Sequence, residues 1–392
     1  MIAMKQDARG PEANLDLLRS LAVLAVMVDH LVPTWRYCGL RVPDWLQLLT
    51  AHIGQAGVIA FFVHTSLVLM ESLQRLSGGE PLRRGTVLRF YLRRFLRIYP
   101  LALVCITLVV VLDLPAVTWR EALPPTPQVV LANQWLVQNL VTGRSVLGPL
   151  WSLPYEVQMY VVLPALYLLA TTARGPRWLS VLLGSAVLGA LVLGEFTGGR
   201  LNMAAYLPCF LCGVLCFALR QRVRLPQWPS GGWIAALAGL FGGYAWLHWG
   251  AGKPSAVAGW CFALLLSLAI LVFADSRRPR LNRSTQWIAR YSYGLYLLHV
   301  PVLWLVFHRW RLQSLPMSLL VYLGLSTAAA VIAFHLVEAP MVALGQRLTQ
   351  RTRASAAAAS EPSARGESGK REMPLGLAAM EPAEVWQMLH RH

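Results

Sequence analysis

The stretch LDLLRSLAVLAVMVDHLVPTW, residues 15–35, holds Arg19 and, eleven positions later, His30 in a largely apolar run. Eleven residues of α-helix make about three turns and rise about 16 Å, so the two side chains fall on one face. An ionisable side chain inside a bilayer is costly unless it lines a polar interior. The pattern predicts a membrane helix that holds a charged ligand and acts on it. Alternatively, Arg19 anchors the helix at one membrane surface and His30 lies at the other.

The composition of the whole chain also indicates a membrane protein. Of its 392 residues, 56% are hydrophobic and 14% are charged, whereas soluble domains carry about a quarter charged residues. The 15 Trp and 12 Tyr residues fit the aromatic belts at bilayer surfaces. The net charge of +17 does not indicate a nucleic-acid partner, because the basic residues punctuate apolar runs instead of clustering on a polar domain.

Ten apolar stretches are long enough to cross a bilayer, so we expect an all-α, polytopic membrane bundle of about ten transmembrane helices. The expected spans are 15–35, 52–70, 98–114, 150–170, 178–196, 203–219, 233–249, 256–274, 291–307 and 317–344. With both termini in the cytoplasm, most of the 35 Lys and Arg residues fall on the inner side, as the positive-inside rule requires. The pattern predicts a multi-pass protein of the cell membrane, and of the inner membrane in a bacterium.

The two ends of the chain differ in character. The first apolar run is too long for the core of a signal peptide, so we expect it to be retained as a helix. Residues 1–345 are expected to form the transmembrane domain. Residues 346–392 are rich in Ala, Ser, Gly and charged residues, which predicts a disordered cytoplasmic tail.

No metal site is expected from the cysteines. Cys209, Cys212 and Cys216 share one helical face, but no comparable cluster of ligands lies near them in the sequence. Small, apolar packing residues are the better interpretation.

A cluster of arginines begins the third span, in the segment YLRRFLRIYP, residues 91–100. Arg93 and Arg97 are four residues apart and share one helical face, with Arg94 beside them. Guanidinium groups at this cytoplasmic mouth can bind phosphates in a bidentate manner. From the spacing alone, the positive-inside rule and binding of anionic lipids are the favoured explanation.

Two further spans place single ionisable residues inside the membrane. His64 ends the segment GVIAFFVH, residues 57–64, and a structural role is as reasonable as a functional one. Glu156 follows Pro154 in the segment WSLPYE and is expected in the first turn of a helix at the outer side. A helix N-terminus favours a carboxylate there, which is the alternative to a catalytic role.

The last two spans contain polar groups next to prolines. His299 lies deep in the ninth span and precedes Pro301, while His335 and Glu338 lie three residues apart on one face of the tenth. Polar groups at a helix irregularity commonly line an internal cavity. These residues are further candidates for a polar interior.

Together these motifs resemble those of the acyltransferase 3 family of integral-membrane acyltransferases. Five segments match the motifs of that family in order, namely residues 15–30 (LDGLR…H), 57–63 (GVxxFFVLSG), 93–100 (RRxxRIYP), 151–164 (WSLxxExxFYxxxP) and 292–301 (SYxxYLxHxP). Leu17 stands where the family has glycine, Asp29 where an aromatic residue is usual, and His64 begins a segment where Leu-Ser-Gly is common.

The resemblance implies transfer of an acyl group, often acetyl, from acyl-CoA to a hydroxyl, commonly on a cell-surface or exported saccharide. In such a reaction we expect the arginine cluster to hold the phosphates of the donor, with help from Arg19. We expect His30 to act as the general base and Glu156 to orient the acceptor or the imidazole. Acyl-CoA is then a substrate, and no permanently bound cofactor is expected.

Two alternatives stay open at this stage. The acceptor could be a small molecule or a lipid instead of a saccharide. The protein could also be a proton-coupled secondary transporter, in which intramembrane His and Glu residues relay protons. Transporters often contain inverted repeats, and none is apparent in this sequence, which favours the enzyme.

Overall fold

The computed structural model describes residues 12–115, 124–196, 202–223, 225–249, 255–312 and 314–360. The fold of these residues is built from α-helices joined by turns and loops. The helices are α1 (Ala13–Tyr37), α2 (Asp44–Ser77), α3 (Arg84–Val111), α4 (Pro127–Gln134), α5 (Gln138–Val141), α6 (Leu153–Thr171), α7 (Gly175–Phe196), α8 (Asn202–Arg220), α9 (Gly231–Leu247), α10 (Ala256–Val272), α11 (Pro279–Leu303), α12 (Leu315–Ala333) and α13 (Ala339–Ser360). The prediction of an all-α bundle is confirmed.

Three shorter helical segments connect these helices. A 3-10 turn, Gly148–Ser152, leads into α6. A π-helical segment, Trp304–Trp310, extends α11, and a second one, Phe334–Glu338, joins α12 to α13. Segments of π-helix are rare and are frequently found at functional sites.

Each of the ten predicted spans overlaps at least one helix. Within the described residues, six segments are long and apolar enough to cross a membrane, namely Asp44–Ser77, Arg84–Val111, Gly148–Thr171, Gly175–Val192, Met203–Arg220 and Leu315–Gln350. The apolar helices α9 and α10 have 17 residues each. With 25 residues each, α1 and α11 are long enough, but they carry more polar residues. The total of ten crossings stays a prediction.

The helix α2 lies at the centre of the bundle and contacts α1, α3, α6, α8, α9 and α10. Its approach to α1 is close because glycines face that helix. A Cβ atom on Gly57 would lie 2.8 Å from the carbonyl oxygen of Ala22 and 3.2 Å from Cβ of Ala25, and one on Gly54 would collide with Asp29. Small residues thus let the two backbones pack directly, as in other membrane helix pairs.

The chain between α3 and α6 folds back along the bundle. The hydroxyl of Tyr99 in α3 donates to the carbonyl of Trp135, 3.1 Å away. The amide of Gln138 donates to the carbonyl of Leu150 at 3.0 Å. As a result α6 begins level with the middle of α3 and not beyond its end.

The helix α13 runs through residues 346–360, so the first part of the predicted tail is helical. The rest of that tail, residues 361–392, lies outside the described residues.

The packing of α1 on α2 predicts the effect of a small substitution. Gly57→Ala should lower the thermal unfolding midpoint of the purified protein, because the added methyl group meets a backbone carbonyl that cannot move alone. Overpacking of this kind costs about 1–3 kcal/mol. Thermal unfolding in detergent measures the effect.

Gly239→Ala is the matched control, since among the described residues no atom lies within 4 Å of a Cβ added there. Its unfolding midpoint should equal that of the unmodified protein or exceed it. Equal midpoints for the two variants would show that α1 and α2 are not held by this contact.

Candidate active site

A cavity of about 110 Å³ lies where α1, α2, α3, α6 and α11 meet. The charged or titratable side chains that line it are Arg19, His64, Arg94, Arg97 and Glu156. Its other polar lining comes from Thr65, Ser152, Tyr160, Ser292, Tyr293 and Tyr296. The remaining wall is apolar and comprises Val58, Phe61, Phe62, Val68, Leu69, Ile98 and Leu153. Five predicted site residues therefore meet in one space.

Arg19 is held between α1 and α11. Its Nε donates to the hydroxyl of Ser292, 2.7 Å away, and that hydroxyl in turn donates to the carbonyl of Ala289 at 2.8 Å. The chain therefore fixes one side of the guanidinium of Arg19, which lines the cavity, and charge-assisted hydrogen bonds from such a group are strong.

Arg94 and Arg97 lie three residues apart on α3 and both reach the cavity. The guanidinium of Arg97 lies 5.9 Å from the ring centroid of Tyr293, and its Nη1 is 2.7 Å from Oε2 of Glu338. The guanidinium of Arg94 lies 5.9 Å from the ring centroid of Phe90. Its Nε is buried and has no hydrogen-bond partner among the described residues.

Arg93 does not line this cavity, in contrast to the prediction of one arginine cluster. Its Nε donates to the hydroxyl of Thr349 in α13, 2.8 Å away. Arg93 and Arg97 do share a side of α3, as their spacing predicts, but only Arg97 lines the cavity, while Arg93 is turned toward α13. Arg94 is rotated from Arg93 by about 100°, and this rotation places it in the cavity.

Glu156 lies at the arginine end of the site. The hydroxyl of Tyr160, one turn later on α6, donates to its Oε1. Its negative charge attracts the guanidinium groups of both Arg19 and Arg94. Glu156 is expected at the outer side, where it could orient the acceptor or the imidazole of His30, and the structure places it in the cavity with Arg19, Arg94 and Arg97. The segment before α6 folds back along α3, so the first turn of α6 is level with the arginines.

His30 contacts His299 of α11 instead. Their ring centroids are 5.0 Å apart, and the rings are nearly perpendicular, with an interplanar angle of 77°. Nδ1 of His30 is 2.9 Å from the carbonyl of Val26, and Nδ1 of His299 is 2.9 Å from that of Leu295. A carbonyl only accepts, so each Nδ1 must carry the hydrogen. In both neutral rings the lone pair is then on Nε2.

Tyr296 separates this histidine pair from the cavity. Its ring lines the cavity and lies 6.4 Å from that of His299, between centroids. Its hydroxyl is 2.7 Å from the hydroxyl of Ser152 and donates to the carbonyl of Pro149 at 2.9 Å. The histidine pair therefore lies beyond Tyr296, outside the set of residues that line the cavity.

The remaining candidates divide between the cavity and its surroundings. His64 lines the cavity, where the charge of Arg19 acts on it. Glu338 reaches the site only through Arg97. His335 is not brought to it, since its Nε2 lies 3.3 Å from the hydroxyl of Tyr291. Sequence reasoning did not name Tyr160 as a site residue, although its position four residues after Glu156 was a usable signal.

The described residues contain no group of three or more His, Cys, Asp or Glu side chains that could hold a metal ion. Cys209, Cys212 and Cys216 are buried free thiols in α8. The sulfur of Cys216 lies 3.6 Å from the carbonyl of Ser267 in α10, consistent with packing between these helices.

The arrangement suits an anion that carries a less polar arm. Three guanidinium groups face one space with one carboxylate, Glu156, among them, so positive charge predominates there. Arginine binds phosphate in a bidentate manner, and the apolar wall beside it can hold an uncharged chain. The imidazole pair behind Tyr296 provides basic nitrogens for proton transfer.

Comparison with known proteins identifies the family. A family model described as an acyltransferase domain, Acyl_transf_3, matches residues 12–337. No curated protein and no solved structure matches the chain. The match covers nearly the whole membrane bundle and favours an enzyme over a proton-coupled transporter. The chain belongs to the acyltransferase 3 family and is a multi-pass membrane acyltransferase.

Proposed function

We propose that the protein transfers an acyl group from acyl-CoA to a hydroxyl of a cell-surface or exported saccharide, and that this group is acetyl. We place it in the cell membrane of a bacterium, with the donor bound from the cytoplasm. Family membership supports acyl transfer in general. The observation that supports acyl-CoA as the donor is the cavity that Arg19, Arg94 and Arg97 share.

The chemistry of the donor fits this cavity. Acyl-CoA combines several phosphates with an uncharged pantetheine arm that ends in the thioester. The phosphates would bind the three guanidinium groups, with the arm along the apolar wall toward Tyr296 and the histidine pair. Glu156 holds the arginines in place, through its charge on Arg19 and Arg94, and Tyr160 fixes its orientation.

Proton transfer falls to His30. Its Nε2 takes the proton of the acceptor hydroxyl, and the hydroxyl oxygen forms a bond with the carbonyl carbon of the thioester. The carbon–sulfur bond then breaks, and the departing thiolate of CoA takes the proton from Nε2. The bond from Nδ1 to the Val26 carbonyl keeps Nε2 as the basic nitrogen throughout. General base catalysis typically contributes about 10²–10⁴-fold in rate.

Removal of one cavity arginine should weaken donor binding. Arg94→Ala should raise the Kd for acetyl-CoA about tenfold or more, because hydrogen bonds to charged groups contribute about 1.5–3 kcal/mol. Isothermal titration of acetyl-CoA into the purified protein measures this.

Arg89→Ala is the matched control on the same helix. Its guanidinium donates to the carbonyl of Gly85 and the hydroxyl of Thr86, outside the cavity. The Kd of this variant should equal that of the unmodified protein. Equal binding by both variants would remove the cavity as the donor site.

Removal of the proposed base should abolish acyl transfer but not donor binding. His30→Ala cells should lose at least about 99% of saccharide acylation, in line with the contribution of a general base. The Kd for acetyl-CoA should stay within about twofold. Mass spectrometry of the surface saccharide reports acylation, with protein levels measured in the same membranes.

His248→Ala controls for the loss of a buried histidine. Its Nδ1 also contacts a carbonyl one turn earlier, that of Tyr244 at 2.7 Å, and its ring stacks on His52 with centroids 5.0 Å apart. This variant should acylate normally. Acylation retained in His30→Ala would exclude His30 from the reaction.

A deletion strain that lacks acylated lipid or small molecule, with its saccharide unchanged, would refute the proposed acceptor.

A further inference from the structure

Glu338 is a fully buried carboxylate that the proposed reaction does not use. It ends the π-helical segment Phe334–Glu338. Its side chain is 0% exposed, and its Oε2 lies 2.7 Å from Nη1 of Arg97, which is 22% exposed. Its other oxygen, Oε1, is buried with no hydrogen-bond partner among the described residues.

Stability alone explains this carboxylate poorly. An ion pair taken out of water loses much of its attraction to the desolvation of both charges. A buried oxygen without a partner adds a further cost of about 1–3 kcal/mol. We therefore looked for a function of Glu338 in the arginine-lined cavity beside it.

The charges around the cavity suggest that role. Arg19 and Arg97 repel each other, and the charges of Glu156 and Glu338 both offset that repulsion at Arg19. An anionic donor would supply the same negative charge from outside. Glu338 and a donor phosphate thus compete for the same guanidinium, that of Arg97.

The two partners of this pair differ in their freedom to move. Glu338 lies where α13 begins, and α13 packs closely on α3. A Cβ atom on Gly345 would lie 3.3 Å from Cδ1 of Leu96 and 3.7 Å from Cα of Arg93. Arg93 also donates to Thr349. The backbone that carries Glu338 is therefore held on α3, and the longer side chain of Arg97, which already lines the cavity, is the part that can move toward a bound phosphate.

We propose that Glu338 is the internal counter-ion of the donor site: it holds the Arg97 guanidinium while the site is empty and yields it to a donor phosphate. This inference rests on the proposed function. Binding then exchanges a carboxylate–guanidinium pair for phosphate–guanidinium contacts. Because CoA carries the same phosphates as acyl-CoA, Glu338 weakens the binding of both and promotes release of the product.

Glu338→Gln tests the inference, because it removes the charge and nearly preserves the size of the side chain. The Kd values for acetyl-CoA and for CoA should both fall, by about fivefold or more. A supporting role would have the opposite sign, since loss of a support weakens binding. In an Arg97→Ala background the same substitution should lower both Kd values by a clearly smaller factor, because the shared partner is gone and only the charge of Glu338 on Arg19 is left.

Glu71→Gln is the matched control for the loss of an ion-paired carboxylate. Glu71 lies 3.0 Å from Nη1 of Arg220, and neither residue lines the cavity. Its Kd values should equal those of the unmodified protein. If Glu338→Gln does not fold, Glu338→Asp replaces it: the shorter side chain holds Arg97 less well, so the Kd should fall by a smaller factor.

The outcomes separate the two proposals. Tighter binding by the Glu338 variants, without a change in Glu71→Gln, supports the counter-ion. Unchanged or weaker binding by a folded Glu338 variant overturns it and leaves the proposed function standing, provided that the unmodified protein binds acetyl-CoA. If the unmodified protein binds neither acetyl-CoA nor CoA, the proposed donor fails, and the counter-ion fails with it.

Discussion

The cost of burying positive charge in an apolar bundle determines how this structure is arranged. Arg19, Arg94 and Arg97 share one cavity, and an uncompensated buried charge costs several kcal/mol. Compensation comes from different helices: Ser292 of α11 binds Arg19, and Glu338, directly before α13, binds Arg97. These helices must meet at one point for the charges to be tolerated. The packing of the helices therefore depends on the same ion pairs and hydrogen bonds that form the site.

The helix α1 carries a functional candidate at each end of the site. Arg19 faces the cavity, and His30, eleven residues farther on, meets His299. The helix α11 runs beside it and supplies a partner at each end, Ser292 for the arginine and His299 for the imidazole. Tyr296 lies between those two partners on α11. Two neighbouring helices therefore position the groups for anion binding and the groups for proton transfer in a fixed relation.

Much of the fold could be predicted because apolar length is a local property of the sequence. Each predicted span overlaps at least one helix, and Arg19, His64, Arg94, Arg97 and Glu156 were all named as candidates. The rotation of α3 and the depth of α6 could not be predicted. Both depend on contacts distant in sequence, such as the segment that folds back before α6. The pairing of Glu338 with its arginine joins residues 241 positions apart, which no helical period reveals.

The contacts of the two Nδ1 atoms have a consequence for the imidazoles themselves. Each ring is tied to the backbone of its own helix, so it cannot turn over to present its other nitrogen without losing that bond. A proton that reaches either ring must therefore arrive at Nε2 and depart from the same atom. Proton exchange at either imidazole is therefore confined to Nε2, and the helix that carries the ring determines the direction in which this nitrogen points.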